Sequence, residues 1–403
     1  MAEPHSETGK HDAPLAGVRV LEFGGFISLP YATSMLSSLG ADVVKVERIG
    51  TGDDFRRGRG TDSMYFRQYN AGKRSLSVDL KRPEGIDVVK ALIPHFDVVV
   101  ENMRPGKMAS LGLGPDDCEE LRPDVVYASV TGFGSGGPLA FRPAYDTIGQ
   151  AYGGLMSVLS DRGAAQLTGP ALADLITAIT ATAGILAALV GRSTTGRPQR
   201  METSLIESVS VLTIDAITQY FEKPDEEPAR QSRHPQAQNF AVKTAAGPDL
   251  VIHLSSSQKF WFSFLEVIGR KDLADDPRFE TFASRTDNYL ALSRIVVPEF
   301  LRKTTAEWEL LLESLDVPHA PVLTMSEYVG QDQVEWLELL EPPTDGLSLL
   351  RPPWRFEDER PHRDPHVPVV GEHTREIVGE AFDHATIERL IAEGVLYVEN
   401  RPR

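Results

Sequence analysis

Cysteine is almost absent from this 403-residue chain: Cys118 stands alone. That excludes an intrachain disulfide and any cysteine-rich metal site. Its neighbours, in DDCEEL, are acidic and raise a thiol pKa, so a catalytic thiolate is not expected there. The ten histidines are scattered, and no two at helical spacing face a carboxylate cluster. His362 and His366 flank RDP in a proline-rich stretch and read as surface residues, so no metal is expected. No Ser, His and Asp constellation and no nucleophile elbow is legible. The opening MAEPHSETGKHDAP lacks the apolar core of a signal peptide, and the longest apolar run, around Ile185 to Val190, lies in a helix broken by threonines and Asp174. A soluble, cytoplasmic protein is the expectation. A net charge of −17 disfavours nucleic acid and anionic membranes as partners. What remains for chemistry is carboxylates and cations.

One carboxylate is conspicuous. Asp174 is the only charged side chain between Arg162 and Arg192, in a segment otherwise of Ala, Leu, Ile, Val, Thr and Gly. Desolvating a carboxylate costs several kcal/mol unless something pairs with it or uses it. Two readings compete. Pro170 suits the start of a helix and an Asp in the opening turn complements the macrodipole, which makes Asp174 a structural device. Alternatively it is a nucleophile or proton carrier in surroundings that exclude water. The local sequence by itself favours the helix end.

The first two hundred residues alternate strand and helix signals: VRVLEF, then PYATSMLSSLG ending at Gly40, then ADVVKVE. SLSVDL leads into a helix from Pro83 to His95, followed by DVVVEN and VVYASVTGFG. Short Val-rich strands, apolar on both faces, belong in a parallel sheet covered by helices. The fold class is therefore α/β, with a Rossmann-like large domain whose ligand crevice lies beyond the carboxyl ends of the strands. The loops after Phe23, Glu47, Asn102 and Thr131 all reach that end. The run METSLIESVSVLTIDAITQYF reads as a helix, and the charged, proline-containing EKPDEEPARQSRHPQAQ after it marks a boundary. From Phe240 a hairpin signal and amphipathic helices, one opened by Thr304 and Glu307, make a smaller α+β domain. The expected organisation is a loose tail over 1–14, a large domain over 15–221, a linker over 222–239, a small domain over 240–337, and an extended return segment over 338–374. Residues 375–403 then pack back on the large domain through a helix from about Arg375 to Gly394.

Two features bear on ligands. GFGSGG, from Gly132 to Gly137, fits a dinucleotide fingerprint, but Pro138 and Pro143 interrupt the helix that must open behind it, so neither a nicotinamide nor a flavin is expected. A loop that lets backbone approach a ligand is the better reading. Between Asp42 and Lys107, thirteen Lys and Arg face ten Asp and Glu, a local net of +3 in an acidic chain. Such a segment suits a compact polyanion.

The ordered motifs LAGVRVLEF, LGADVVKVER, NAGKRSLSVDLKRPEG, VENMRPG, VTGFGSGGP, AYDTIGQAYGG, ALADLITA, GRSTTGRPQRMETSLIES, DDPRF, TAEW and GEHT, from about Leu15 to the C-terminus, resemble those of the family III CoA-transferases, the formyl-CoA and crotonobetainyl-CoA transferase group. The resemblance implies an enzyme that moves CoA from an acyl-CoA to a carboxylic acid through an aspartyl mixed anhydride and an aspartyl-CoA thioester. It makes Asp174 the nucleophile, ionised at pH 7 if its pKa is the ordinary one near 4. It assigns coenzyme A to Lys73, Arg74 and Arg104, with Lys45 and Arg48 as further cations nearby, and places Tyr145 and Asp146 in the active-site lining. Amides of the Gly153 and Gly154 region, or of the first βα loop, are the oxyanion donors it leaves open. It also implies an interlocked homodimer. Formyl-CoA transferase carries Gln and Ala where this chain has Ile27 and Ser28, and the glycine-rich lid of that enzyme is not visible around Arg230 to Asn239. Ile27 therefore points to a larger or more hydrophobic acyl group. The rival reading in the same fold is an α-methylacyl-CoA racemase, whose GHD motif aligns with Ala144, Tyr145 and Asp146, where Tyr is a poor base. A third is a catalytically inactive CoA-binding homologue, which would retain Arg104 and lose Asp174.

Overall fold

The computed structural model describes residues 13–57, 62–161 and 163–399. Residues 1–12 of the expected tail and the last four residues lie outside that range. The chain divides into two compact units. The first comprises residues 1–156, 167–213 and 338–403, and the second 157–166 and 214–337. The division at 213/214 precedes the proline-containing linker expected over 222–239, because the helix Ile214–Glu222 belongs with the second unit.

The first unit is built on a seven-stranded sheet. Six of its strands are β1 (Arg19–Phe23), β2 (Asp42–Glu47), β3 (Arg74–Val78), β4 (Val98–Glu101), β5 (Val126–Thr131) and β6 (Gln199–Ser204). Their spatial order is 3-2-1-4-5-6, all parallel. That is the Rossmann order, with its switch point between β1 and β4. Alternation of side chains explains the apolar strands: Leu21, Val44 and Val99 fill one face of the sheet, and Val20, Val43, Val98 and Val100 the other. Helix α1 (Ser28–Ser38) and the long helix Leu172–Thr195 cover the second face. The long helix has the length and composition of a membrane span, yet Ala178, Ala181, Thr182 and Ile185 are buried in this core.

The second unit carries a small antiparallel sheet, β7 (Asn239–Val242), β8 (Leu250–His253) and β9 (His319–Pro321), as the hairpin signal predicts. Trp261, Phe264, Phe300 and Trp308 pack behind it. Thr304 and Glu307 form the expected capping box.

Two elements differ from the sequence reading. Gln199–Ser204 is an edge strand and the helix begins only at Leu205, where the Ser204 hydroxyl accepts the Glu207 amide; partner β5 overrides the helical pattern of METSLIES. The C-terminal helix is two pieces, Thr374–Val378 and His384–Ala392, the second capped by Asp383. A further strand, β10 (Leu396–Tyr397), then adds antiparallel to β3.

The return segment is held to the rest of the first unit through polar contacts. Arg363 donates to Ser34 Oγ (2.7 Å) and to the Gln68 carbonyl (2.6 Å), and the Gly72 amide donates to the His366 carbonyl (2.7 Å). Arg56 donates to the Pro368 carbonyl (3.0 Å) and the Gly371 amide to Ser75 Oγ (2.9 Å).

Under the first βα loop lies a buried ionic cluster. Glu22 and Lys45, cross-strand neighbours on β1 and β2, pair at 2.8 Å, and Lys73 reaches the other Glu22 oxygen at 2.8 Å. Thr33 Oγ1 adds a 2.6 Å bond to Glu22. Burial pushes the Glu22 pKa up, but the two lysines outweigh it and hold the carboxyl at about 2. Glu22→Gln leaves two buried ammonium groups short of charge and should destabilise the first unit by about 3–5 kcal/mol, read as a lowered urea midpoint. In the wild type the contribution of Glu22 is complete above its ordinary pKa of 4.5 and is lost as pH falls from there through about 2, so the gap between wild type and variant should narrow in acid.

Candidate active site

The loops after β1, β2, β4 and β5 converge on a cleft of about 460 Å³. Its lining includes Gly24, Gly25, Phe26 and Ser28 from the first loop and Arg48, Gly52, Asp53 and Asp54 from the second. Asn102, Met103 and Arg104 follow from the third, Thr131 and Gly132 from the fourth, and Arg142, Tyr145 and Asp174 complete it. All four loops expected at the carboxyl edge thus meet at one place.

The first loop is held from below and from the side. Lys45 Nζ donates to the Gly24 carbonyl (2.7 Å) and pairs with Asp53 (2.9 Å). Asn102 bonds both the amide (3.1 Å) and the carbonyl (3.0 Å) of Gly25. Phe26 follows with φ 66°, an uncommon conformation for a bulky residue, costing on the order of 1 kcal/mol or more. These anchors turn the Phe26 ring toward the cleft and bring α1 to start at Ser28.

Asp174 is the third residue of the long helix, so the structural reading of its position holds: it occupies the first turn. Its companion there is Asp146, whose Oδ1 accepts the backbone amides of Ala173 (2.8 Å) and Asp174 (3.2 Å), while Oδ2 accepts from Gln150 (2.7 Å). Asp146 reaches them because Gly149, on the helix Asp146–Tyr152, lets the two helices close: a Cβ at Gly149 would lie 3.0 Å from the Ala173 Cβ and 2.9 Å from Leu205. Asp146 therefore takes the helix-end duty, and the Asp174 carboxyl faces the cleft. Burial and the neighbouring Asp146 charge raise its pKa to about 7, against a lowering hydrogen bond from Ser28. The near-4 value expected from the sequence gives way to this. Tyr69 senses the same charge: burial first, then Tyr31 and Asp174, push its hydroxyl to about 12.

The other sequence candidates divide. Ser28, Tyr145, Arg48 and Arg104 line the cleft, Arg48 paired with Asp54 and Arg104 exposed. Ile27 is not among the lining residues; as the residue before α1 it is half-buried, and Phe26 supplies the apolar surface instead. Gly153 and Gly154 do not line it either: Gly153 packs on Val209, whose Cγ1 would sit 2.4 Å from an added Cβ. Lys45 and Lys73 are buried in the Glu22 cluster, Lys73 also donating to the Pro30 carbonyl (2.8 Å) and Asn70 (2.9 Å). Arg74 begins β3, at the opposite edge of the sheet, paired with Asp42 and Glu376. Lys73, Arg74 and Lys45, expected as ligand contacts, are not among the lining residues, and carboxylates of the fold pair with each of them.

Arg142 was not singled out in the sequence; it lines the cleft beside Tyr152, donating to its hydroxyl at 2.6 Å. Only its place five residues after the glycine-rich loop hints at this. Within that loop, Gly132 is where backbone must come close, since a Cβ there would meet Ala144 at 2.4 Å. Cys118 is buried, and burial with Asp117 and Glu119 pushes its thiol to about 12.

The arrangement offers the half-buried carboxyl of Asp174, with no cation paired to it among the described residues, beside a cleft rimmed by arginines. The family model of CoA-transferase family III matches residues 15–374. A succinyl-CoA:glutarate CoA-transferase of Mus musculus is 32% identical, over 95% of this chain and 90% of that protein. A formyl-CoA:oxalate CoA-transferase of Streptomyces coelicolor is also 32% identical, over 91% and 95%. The crystal structure of a CAIB/BAIF family protein from Brucella suis superposes with a TM-score of 0.80 at 29% identity, covering 92% of this chain and all of that one.

The electrostatics of the site can be read directly. Infrared titration of the Asp174 carboxyl, assigned by difference against Asp174→Asn, should show a midpoint near pH 7. Ser28→Ala should move it up by about one unit, the worth of a charge-assisted hydrogen bond, and Asp146→Asn should move it down.

Proposed function

Because the chain belongs to CoA-transferase family III and moves CoA from an acyl-CoA to a carboxylic acid, we propose that Asp174 is the group through which the acyl unit passes. The observation that carries this is the Asp174 carboxyl facing the cleft with its helix-end duty taken by Asp146.

An Asp174 oxygen attacks the thioester carbonyl, the carbon–sulfur bond breaks, and CoA leaves as thiolate with its electron pair. The thiolate then attacks the Asp174 side-chain carbonyl of the mixed anhydride, releasing the donor acid and leaving an aspartyl-CoA thioester. The acceptor carboxylate attacks that thioester, CoA thiolate leaves again, and its attack on the acceptor's acyl carbonyl restores the Asp174 carboxylate. No general base is required once Asp174 is ionised. A half-buried setting protects both activated acyl groups from water. Ser28 steadies the ionised carboxylate, and the first turn of α1, which has no side-chain cap, offers amides from the first βα loop for the oxyanions. The Gly153 and Gly154 alternative loses support because neither is among the lining residues and Gly153 packs on Val209. Arg104, Arg48 and Arg142, on loops that surround the switch point, suit the phosphates of CoA. No histidine is among the lining residues, so the racemase reading lacks the histidine of its GHD motif.

We also read the chain as a homodimer. In its own unit the helix Ile214–Glu222 has no buried residue and exposes Ile217, Tyr220 and Phe221, while the long helix exposes Ile179 and Val190. Apolar surface of this kind calls for a partner.

With an acyl-CoA donor alone, intact mass should show a CoA-sized adduct on the wild type and none on Asp174→Ala, whose CoA exchange should fall at least ~10³-fold; persistent exchange in the variant rules Asp174 out. The kcat/KM for the donor should rise about tenfold per pH unit up to about 7 and level off above it, since only the ionised carboxylate attacks. Light scattering should give about twice the chain mass of 44.3 kDa.

A further inference from the structure

Resting on the assignment of Asp174 as the acyl carrier, the structure assigns the acids this enzyme handles to one chemical class: we propose that its acyl site takes a flat, apolar acyl group, an aryl or arylalkenyl carboxylate, rather than a dicarboxylate. The juxtaposition that carries this is a wall of aromatic rings at the reacting carboxyl. Phe26 packs edge-on against Tyr145, with centroids 5.6 Å apart and planes at 75°, and lies 6.0 Å from Phe55. Phe55 stacks on Tyr69 at 6.3 Å and 15°.

Each end of this wall is tied to Asp174. Ser28, which hydrogen-bonds the carboxyl, is two residues from Phe26. Tyr145 precedes Asp146, which takes the Asp174 amide. Tyr69 is electrostatically coupled to the carboxyl itself. The rings are presented rather than hidden: Tyr145 is 63% exposed, and the Phe26 and Tyr145 side chains both line the cleft. The strained backbone of Phe26 is consistent with a ring held for contact, since the surrounding hydrogen bonds impose that conformation.

A dicarboxylate needs a cation for its distal carboxylate; the arginines that line the cleft, Arg48, Arg104 and Arg142, are the ones assigned above to the phosphates of CoA, and the other cations close to the first loop are paired within the fold. Lys45 and Lys73 serve Glu22, and Arg56 serves Glu47. No cation pairs with Asp174 among the described residues. Arg57 lies 5.5 Å over the Phe26 ring and donates to the Asp54 carbonyl, so it stacks on the wall rather than facing the carboxyl. An aryl acid satisfies what is present: its carboxylate oxygen attacks the aspartyl-CoA thioester, CoA thiolate departs, and the ring meets rings.

The test compares acceptors with a common donor, following transfer of CoA to benzoate, cinnamate, succinate and glutarate. The expected result is a kcat/KM for the aryl acids at least ~10-fold above that for the dicarboxylates. Phe26→Leu keeps apolar volume without the ring and should cut the aryl-to-dicarboxylate ratio by ~3–10-fold, the range aromatic pairing supplies. Tyr145→Leu, on a separate loop, should do the same, which guards against a folding defect in either variant. Preference for succinate or glutarate, or a ratio unchanged in both variants, overturns the proposal while Asp174-dependent exchange still upholds the carrier role. If no acid of either class accepts CoA from any donor, the carrier assignment fails and the substrate class with it.

Discussion

Glu22 is the charge on which the ligand end of the sheet depends. A carboxylate with no exposed surface, midway across a parallel sheet, is tolerable only because two ammonium groups and a hydroxyl surround it. The lysines repay this by reaching further: Lys45 to the Gly24 carbonyl and Asp53, Lys73 to the Pro30 carbonyl and Asn70. One buried cluster thereby sets the loop before α1, the first turn of α1 and the turn after β2. Such clusters add little net stability compared with apolar packing, but they select one arrangement, because any other leaves a buried charge alone. Here the selected arrangement is the one that aims Phe26 and Ser28 at Asp174.

Asp174 lives under opposing demands. A helix N-terminus favours a negative charge, yet Asp146 already occupies the amides and adds its own repulsion, and burial adds more. The folded chain therefore holds an anion that is less stable than the same group in water, and that excess is what a nucleophile can release on forming a covalent bond. A carboxylate solvated like an ordinary Asp is a weaker attacker of a thioester. Reactivity is stored as an imperfectly satisfied charge, and stability is given up to keep it.

Much of this was legible in the chain. The Val-rich strands, the four loops at their carboxyl ends and the chemical isolation of Asp174 are local patterns, and local patterns survive folding. Partnership is not local. Lys45 and Lys73 sit in a cationic segment and read as anion contacts, but Glu22 claims both across 23 and 51 residues of chain. Arg74 has the same problem with Asp42. Ile27 and Phe26 differ by a single position, and which of them faces the cleft depends on a left-handed backbone at Phe26 that no composition rule predicts for phenylalanine. Gln199–Ser204 is polar and helix-compatible, and becomes a strand only because β5 offers an open edge.

Strand β10, far along the chain from β3, is a member of the same sheet. Tyr397 and Leu396 pair with Ser77 and Val78, and the return segment inserts Arg363 between Ser34 and the Gln68 carbonyl. The sheet therefore has both its edges only once β10 has been made. Until then β3 is an open parallel edge able to recruit a wrong strand, so the interval between synthesis of β3 and of β10 is when this protein is most exposed to aggregation and most dependent on chaperones.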